Sequence, residues 1–277
     1  MLILTLKAGD KMSRNKSNAQ NSPEICAHDI KANMINEVDI HYFETIDSTN
    51  NEAKKHNNLL TDTPMLFVAN QQYGGRGRLG RSFYSPKDTG LYMSLMLKRS
   101  DNGEDIVCMT TAVAVCVCDA IKALCDIEPK IKWVNDIYVE NKKVCGILCE
   151  AVTNPDTSKI DAIIIGVGIN ISTSNFPDDI KDIATSLKSN IDKSKLCALI
   201  TDNILAMQKN ISQRSFIEKY KSYSLVLNKE ITYTQSGITK TATAVDIDKN
   251  GALVVKTTNG YDTLSTGEIT VRLHQND

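Results

Sequence analysis

The sequence predicts an α+β fold: a mixed β-sheet domain with flanking helices, followed by a small antiparallel β-barrel. Three observations carry this. Ile163-Ile164-Ile165-Gly166-Val167 is a continuous apolar run, as expected of a strand covered on both faces. Between Glu104 and Cys125, positions Val107, Thr111, Ala114, Cys118, Ile121 and Cys125 recur at helical spacing. After Val226 the chain turns to short β runs divided by Ser236-Gly237, Asn250-Gly251 and Asn259-Gly260, which punctuate hairpins.

Taken in order, residues 1 to about 21 form a polar tail with Lys11, Arg14 and Lys16. Ser22-Pro23-Glu24 opens a short helix to about Met34, with proline in its first turn. Val38 to Phe43 alternates as a strand. Thr49-Asn50-Asn51-Glu52 reads as a capping box for a helix to about Asn57. Met65 to Ala69 is a strand feeding a Gly/Arg-rich loop over Gln71 to Arg81, and Leu91 to Leu97 alternates again. Beyond the 104–125 helix, Ile131 to Val134 is a strand. Ile137 to Val139 and Lys143 to Leu148 pair around Glu140-Asn141-Lys142. Helices cover Lys193 to Lys209 and Ser215 to Tyr223. The final strands are Glu230 to Thr234, Thr241 to Ile247, Leu253 to Thr257 and Glu268 to Leu273. Three parts follow: a leader over 1–37, a main domain over 38–225 and a small domain over 226–277.

Hydrophobic residues form 42% of the 277, enough for a packed core. The 32 basic and 33 acidic residues give a net charge of −1, without the basic excess of a general nucleic-acid binder. No apolar run approaches the roughly 18 residues needed to span a bilayer. The opening Met1-Leu2-Ile3-Leu4-Thr5-Leu6 lacks the basic flank of a signal peptide. None of the eight cysteines forms a C-x-x-C pair, and most lie in apolar stretches. They read as buried reduced thiols in a cytoplasmic protein.

Four motifs carry chemistry. In Gln72-Tyr73-Gly74-Gly75-Arg76-Gly77-Arg78-Leu79-Gly80-Arg81, three arginines alternate with small residues. Guanidinium forks suit carboxylate and phosphate, and the glycines admit close approach. The loop is either a clamp on an anionic ligand or a solvated basic turn of the kind that binds RNA. In Lys132-Trp133-Val134-Asn135-Asp136, alternation puts Lys132 and Val134 on one face and Trp133 on the other. That lysine either meets an anion or snorkels from a strand end. Asp47-Ser48-Thr49-Asn50 places hydroxyls at a helix start, and Gly166-Val167-Gly168-Ile169-Asn170 lies at a strand end without a P-loop or dinucleotide fingerprint.

In order and spacing these motifs resemble the biotin–protein ligase family, from about Val38 to Arg272. Lys143 to Glu150 is similar to that family's next strand, and Gly267-Glu268-Ile269 to its C-terminal element. The resemblance implies a catalytic domain like those of class II aminoacyl-tRNA synthetases and biotin ligases, with an SH3-like C-terminal barrel. It implies that Ser48, Thr49, Asn50 and Gln72 contact the ureido head of biotin. Gly75, Arg76, Gly77 and Arg78 would close over biotin and the adenylate. Lys132, with Arg78, would be catalytic, touching the biotin carboxylate and the reacting phosphate. Arg78, Arg81, Lys132 and Asn170 would contact ATP, with magnesium held through the phosphates. Leu79 replaces an arginine found in many members, and Val134 stands where proline is usual.

The implied activity is ATP-dependent formation of biotinyl-5'-AMP and transfer of biotin to a lysine of a carboxylase's biotin carboxyl carrier domain. Only 37 residues precede Val38, fewer than a winged helix-turn-helix needs. The expectation is therefore a monofunctional ligase without sequence-specific DNA binding or membrane contact. The resemblance leaves a homodimer open. A lipoate or octanoate ligase is the nearest enzymatic rival. A non-enzymatic nucleic-acid-binding protein is the other, disfavoured by the near-neutral charge.

Overall fold

The computed structural model describes residues 24–99, 106–154, 156–235, 237–265 and 270–273. The polar tail, Ser22-Pro23, Glu104, Ser236 and Gly267-Glu268-Ile269 lie outside the described residues.

The first element is α1, Ala27–Asn33. It starts later than the Pro23 signal predicts, because Ile25 is buried in the core and Cys26 supplies the cap, its Sγ accepting the Asp29 N–H. Next come β1 (Asp39–Ile46), α2 (Thr49–Lys55), β2 (Met65–Gln72), β3 (Gly90–Lys98) and α3 (Ile106–Leu124). These are followed by β4 (Lys130–Lys132), β5 (Asp136–Val139), β6 (Lys142–Thr153), β7 (Ile160–Asn170), α4 (Lys193–Gln208) and α5 (Phe216–Tyr223). Strands β1 to β7 form one sheet in the order β1-β2-β3-β7-β6-β5-β4. Only β1 and β2 pair in parallel, so the sheet is mixed, as the sequence predicts.

Burial along β7 shows why its sequence is apolar without alternation. Ile163, Ile165, Val167 and Ile169 enter the main core with residues of α3, α4 and α5, while Ala162 and Ile164 join a smaller cluster with Ala53 of α2. Both faces are covered, so polar alternation is not tolerated.

Two local expectations fail. The capping box does not form: Ser48 is the N-cap, and it makes no side-chain capping bond. Thr49 is the first helical residue, and its N–H and hydroxyl both go to Gln72 Oε1. The strand expected over 131–134 stops at Lys132. Trp133 and Val134 are both buried rather than on opposite faces of a strand, since the chain turns there before β5. The β5–β6 turn is tight, with Glu140 and Asn141 both left-handed, at φ 50° and 62°.

The C-terminal segment adds β8 (Glu230–Gln235), β9 (Ile238–Ile247), β10 (Leu253–Thr257), β11 (Gly260–Leu264) and β12 (Thr270–Leu273). They pair antiparallel in the order β11-β10-β9-β8-β12. Strand β11 was absent from the pattern because four of its five residues are exposed and only Leu264 is buried. This small sheet shares its core with the larger domain. Its Asp248–Ala252 turn, with Gly251 at φ 80°, packs on Thr111 of α3, and the Gly251 carbonyl accepts the Trp133 indole N–H at 3.0 Å.

Candidate active site

A cleft opens on the α2 side of the large sheet, where its strands run out of large side chains. Along β7 that side carries Ala162 and Ile164, then by alternation Gly166 and Gly168. Register places Gly146 of β6 opposite Gly168, and both Leu148 of β6 and Ser94 of β3 opposite Gly166. Glycine is required here by close approach. A Cβ on Gly168 would lie 2.6 Å from the Phe83 ring, and one on Gly166 would overlap the Asn50 amide oxygen.

One end of the cleft is neutral and polar. Ser48, Thr49 and Asn50 are buried at the start of α2. The Ser94 hydroxyl lies 2.7 Å from Thr49 Oγ1 and 2.6 Å from Asn50 Oδ1. Gln72, at the end of β2, accepts from Thr49 through Oε1 and donates through Nε2 to Ser85 Oγ at 3.0 Å. Ser85 in turn donates to the Phe83 carbonyl, 3.0 Å away. Each side chain fixes its neighbour, so these donors and acceptors are set before any ligand arrives.

The other end is cationic. The arginine loop folds back on itself through Gly77 N–H to the Arg81 carbonyl and Phe83 N–H to the Gly75 carbonyl, at 2.7 and 2.9 Å. Arg78 donates from Nη1 to Asn135 Oδ1 at 3.1 Å, and Asn135 donates to the Ile147 carbonyl at 2.9 Å. Burial weakens the Arg78 guanidinium's hold on its proton, with Asp136 acting in the opposite sense. Lys132 donates to Tyr138 Oη at 3.4 Å, and its ammonium lies 5.4 Å from that ring's centre. Burial pushes the Tyr138 hydroxyl up to about 12, so it stays protonated beside the lysine. Lys143 pairs with Asp136 at 2.7 Å. Phe83, Trp133 and Leu148 line the stretch between the two ends, where Met93, Ile147 and Val167 border the cleft but turn their side chains into the main core.

Of the residues singled out from sequence, Ser48, Thr49, Asn50, Gln72, Arg76, Gly77, Arg78, Arg81 and Lys132 all line this cleft. Gly75 and Asn170 do not. Gly75 is buried where a Cβ would meet the Phe83 carbonyl and Ser85 Oγ, so it lets the loop cross rather than facing the cleft. Asn170, expected at the phosphates, is 4% exposed; its amide nitrogen donates to the Thr185 carbonyl at 3.2 Å, while its Oδ1 is buried without a hydrogen-bond partner. Sequence reasoning missed Ser94 and Phe83, and it gave Lys143, Gly146 and Glu150 no role beyond their place in the 143–150 motif. It quoted Asn135, Asp136, Gly166 and Gly168 without giving them a role. The paired glycines were a readable signal, but register between distant strands was needed to use it.

No cysteine is among the residues that line the cleft. Burial pushes Cys116 and Cys197 up to about 12 and Cys149 up to about 11, out of thiolate range. Among the described residues no helix is long and apolar enough to cross a membrane.

Residues 42–170 match the biotin/lipoate A/B protein ligase family, and residues 226–272 match the biotin protein ligase C-terminal domain. The bifunctional ligase/repressor BirA of Bacillus spizizenii is 31% identical over 239 residues, covering 82% of this chain and 72% of that protein. The biotin–[acetyl-CoA-carboxylase] ligase of Paracoccus denitrificans is 31% identical over 129 residues, 46% of this chain and 52% of that one. The structure of the Aquifex aeolicus biotin protein ligase in complex with biotin and ATP superposes with a TM-score of 0.73 at 28% identity, covering 85% of this chain and 99% of the other.

Proposed function

The chain belongs to the biotin/lipoate A/B protein ligase family, and from that premise we propose that its cleft joins biotin to ATP and passes biotin to a carrier lysine. The reaction is ATP-dependent biotinylation of a carboxylase's carrier protein. One observation carries the reading to this chain. A single cleft is neutral and hydrogen-bonding at one end, apolar in the middle and cationic at the other. Biotin has that order of parts: a ureido head, a ring and chain, and a carboxylate that must meet the ATP phosphates.

The same observation separates the rivals. Lipoate and octanoate lack the ureido group, so either would leave the Thr49, Asn50, Gln72 and Ser94 groups facing an apolar ligand. Unpaired buried polar groups are costly, and sites built this way reject ligands that cannot pair with them. A nucleic-acid reading would use the arginines but leave the neutral end unexplained. With a net charge of −1 we assign no sequence-specific DNA binding.

The roles follow from position. Ser48, Thr49, Asn50 and Gln72 hold the ureido head, in bonds their neighbours have already oriented. Lys132 and Arg78 stand at the carboxylate, where attack of a carboxylate oxygen on the α-phosphorus displaces pyrophosphate. Fixed positive charge there offsets the repulsion between two anions and the charge that develops between them. Arg81 and Lys143 extend the cationic wall toward the triphosphate. Among the described residues no three His, Cys, Asp or Glu gather as a metal cage. Asp136 is the carboxylate lining the cleft, which fits a magnesium ion held mainly by phosphate oxygens. Magnesium, when bound, supplies charge neutralisation of the pyrophosphate. Arg76, Gly77 and Arg78 keep water from the adenylate. The carrier's lysine amine then attacks the biotinyl carbonyl and AMP departs, a step that needs mainly positioning.

We divide the chain into a leader over 1–37, a catalytic domain over 38–225 and a C-terminal domain over 226–277. We place the reaction in the cytoplasm, a reading supported by eight cysteines that are all free. The test is pyrophosphate release with ATP and biotin, lipoate or octanoate offered separately. Release with biotin alone is expected, and release with lipoate but not biotin would overturn the reading.

A further inference from the structure

Glu150 has no place in the reaction as drawn, yet it touches both α2 and the arginine loop. It lies on β6 two residues beyond Leu148, with its side chain 18% exposed. Oε2 accepts from Asn50 Nδ2 at 2.9 Å, while Oε1 takes Lys54 Nζ at 2.7 Å and faces Arg76 Nη2 at 3.5 Å. Asn50 Nδ2 also points to the Leu148 carbonyl, 3.4 Å away. Arg76 donates from Nη1 to Asn51 Oδ1 at 3.0 Å, one residue along α2.

We propose that Glu150 is a positioning residue with two linked tasks: it fixes the Asn50 amide as an acceptor toward the ligand head, and it tethers Arg76 at the start of the arginine loop. The first task follows from bond direction. An amide can present either its oxygen or its NH2 to a ligand. With the NH2 of Asn50 held by Glu150 and the Leu148 carbonyl, Oδ1 faces Ser94 and Gly166, on the cleft side. A ureido N–H needs an acceptor, so a flipped amide would set donor against donor. The second task follows from charge sharing. Lys54 and Arg76 share one carboxylate, and only Arg76 belongs to the loop that the proposed function closes over ligand.

The inference rests on the biotin reading, and its test keeps the two apart. Wild-type protein is first assayed for biotin-dependent pyrophosphate release, and absence of release counts against the function rather than against Glu150. Glu150→Gln, checked for folding by circular dichroism, is then assayed at varied biotin and varied ATP and digested with trypsin without ligand. Expected are a rise in biotin KM of about tenfold, the scale of one buried hydrogen bond set wrongly, with ATP KM little changed. Cleavage after Arg76 should quicken roughly two- to fivefold, as befits a partly exposed ion pair. Lys54→Met, at a half-exposed position, should slow that cleavage by leaving Glu150 to Arg76 alone. Unchanged biotin KM and unchanged cleavage in folded Glu150→Gln overturn the proposal. Should that variant not fold, unchanged cleavage in Lys54→Met does so.

Discussion

Gly166→Ala tests whether the cleft exists because its strands lack side chains. The added Cβ would overlap Asn50 Oδ1 and lie 2.9 Å from Cγ and 3.0 Å from Nδ2. Ordinary contact needs about 3.5–4 Å, so the amide must retreat by on the order of 1 Å. It cannot do so cheaply, since Ser94 holds its oxygen at 2.6 Å and Glu150 its nitrogen at 2.9 Å. Overpacking of this kind costs about 1–3 kcal/mol, and each hydrogen bond lost adds about 1 kcal/mol. The gain from replacing a strand glycine, about 0.5–1 kcal/mol, offsets only part of this. A net loss near 2 kcal/mol lowers Tm by roughly 4–8 °C in a chain of this size class. On the proposed reading the displaced amide faces the ligand head, so biotin KM should rise roughly 10²-fold, about 2.7 kcal/mol, with ATP KM much less affected. Gly237→Ala is the control: φ is 76° with nothing within 4 Å, so it carries backbone strain but no clash. Steady-state pyrophosphate release and a thermal melt read both quantities. A Gly166→Ala protein with wild-type Tm and biotin KM within about twofold of normal would refute the argument.

Four further outcomes are expected. Lys132→Ala should slow adenylate formation by at least roughly 10²-fold, and Lys132→Arg should not restore it, because a planar fork is not a point charge; near-normal single-turnover rates would show a structural lysine. Biotin with ATP should protect Arg76 and Arg78 from trypsin, and equal cleavage with and without ligand would make the loop a passive turn. Trp133→Phe removes the indole bond to the Gly251 carbonyl and should cost about 1–3 kcal/mol in a melt, with a higher ATP KM because Lys132 precedes that turn; an unchanged melt and KM would show that the C-terminal domain does not brace it. Burial raises Glu150, but the bonds from Asn50 and Lys54 bring it below its ordinary 4.5. Its contribution is therefore present above 4.5 and lost as pH falls below it, so Glu150→Gln should flatten the acid limb of stability, and a parallel limb would count against this.

The fold was legible wherever the pattern was local and two-sided. The 160–170 run became β7, because burial on both faces leaves no polar alternation, and the α3 spacing became a helix; the Gly-marked turns separate C-terminal strands as expected, although β11 was not foreseen. Local signals failed where tertiary partners competed for the same groups. Thr49 looked like a cap, but its hydroxyl is taken by Gln72, a residue 23 positions away. Lys132-Trp133-Val134 looked like a strand, but the indole is claimed by Gly251, 118 positions away. Asn170 sits at a strand end near two glycines, and what the motif could not show is that its amide nitrogen is held by the Thr185 carbonyl. Ser94 carried no signal and Glu150 only a place in the 143–150 motif, since a lone polar residue in a strand becomes meaningful only when register sets it against another strand.

The two ends of the cleft are built differently, and the chemistry explains why. Recognition of a neutral head relies on hydrogen bonds whose net worth is only about 1 kcal/mol each, and it fails if groups must be ordered at binding. That end is accordingly made on strands and on α2, where Ser94, Gln72 and Glu150 hydrogen-bond Thr49 and Asn50, the groups proposed to meet the head. Stabilising charge between a carboxylate and a phosphate depends less sharply on angle and draws on long side chains. Their value rises when water is excluded. That end is accordingly carried by a loop and a turn, with Arg78 resting on Asn135 and Lys132 beside Tyr138. On the proposed reading, opening of this loop admits ATP and later the carrier's lysine, and its closing keeps water from the adenylate. Glu150 is where the two designs meet, since the carboxylate that orients Asn50 also holds Arg76.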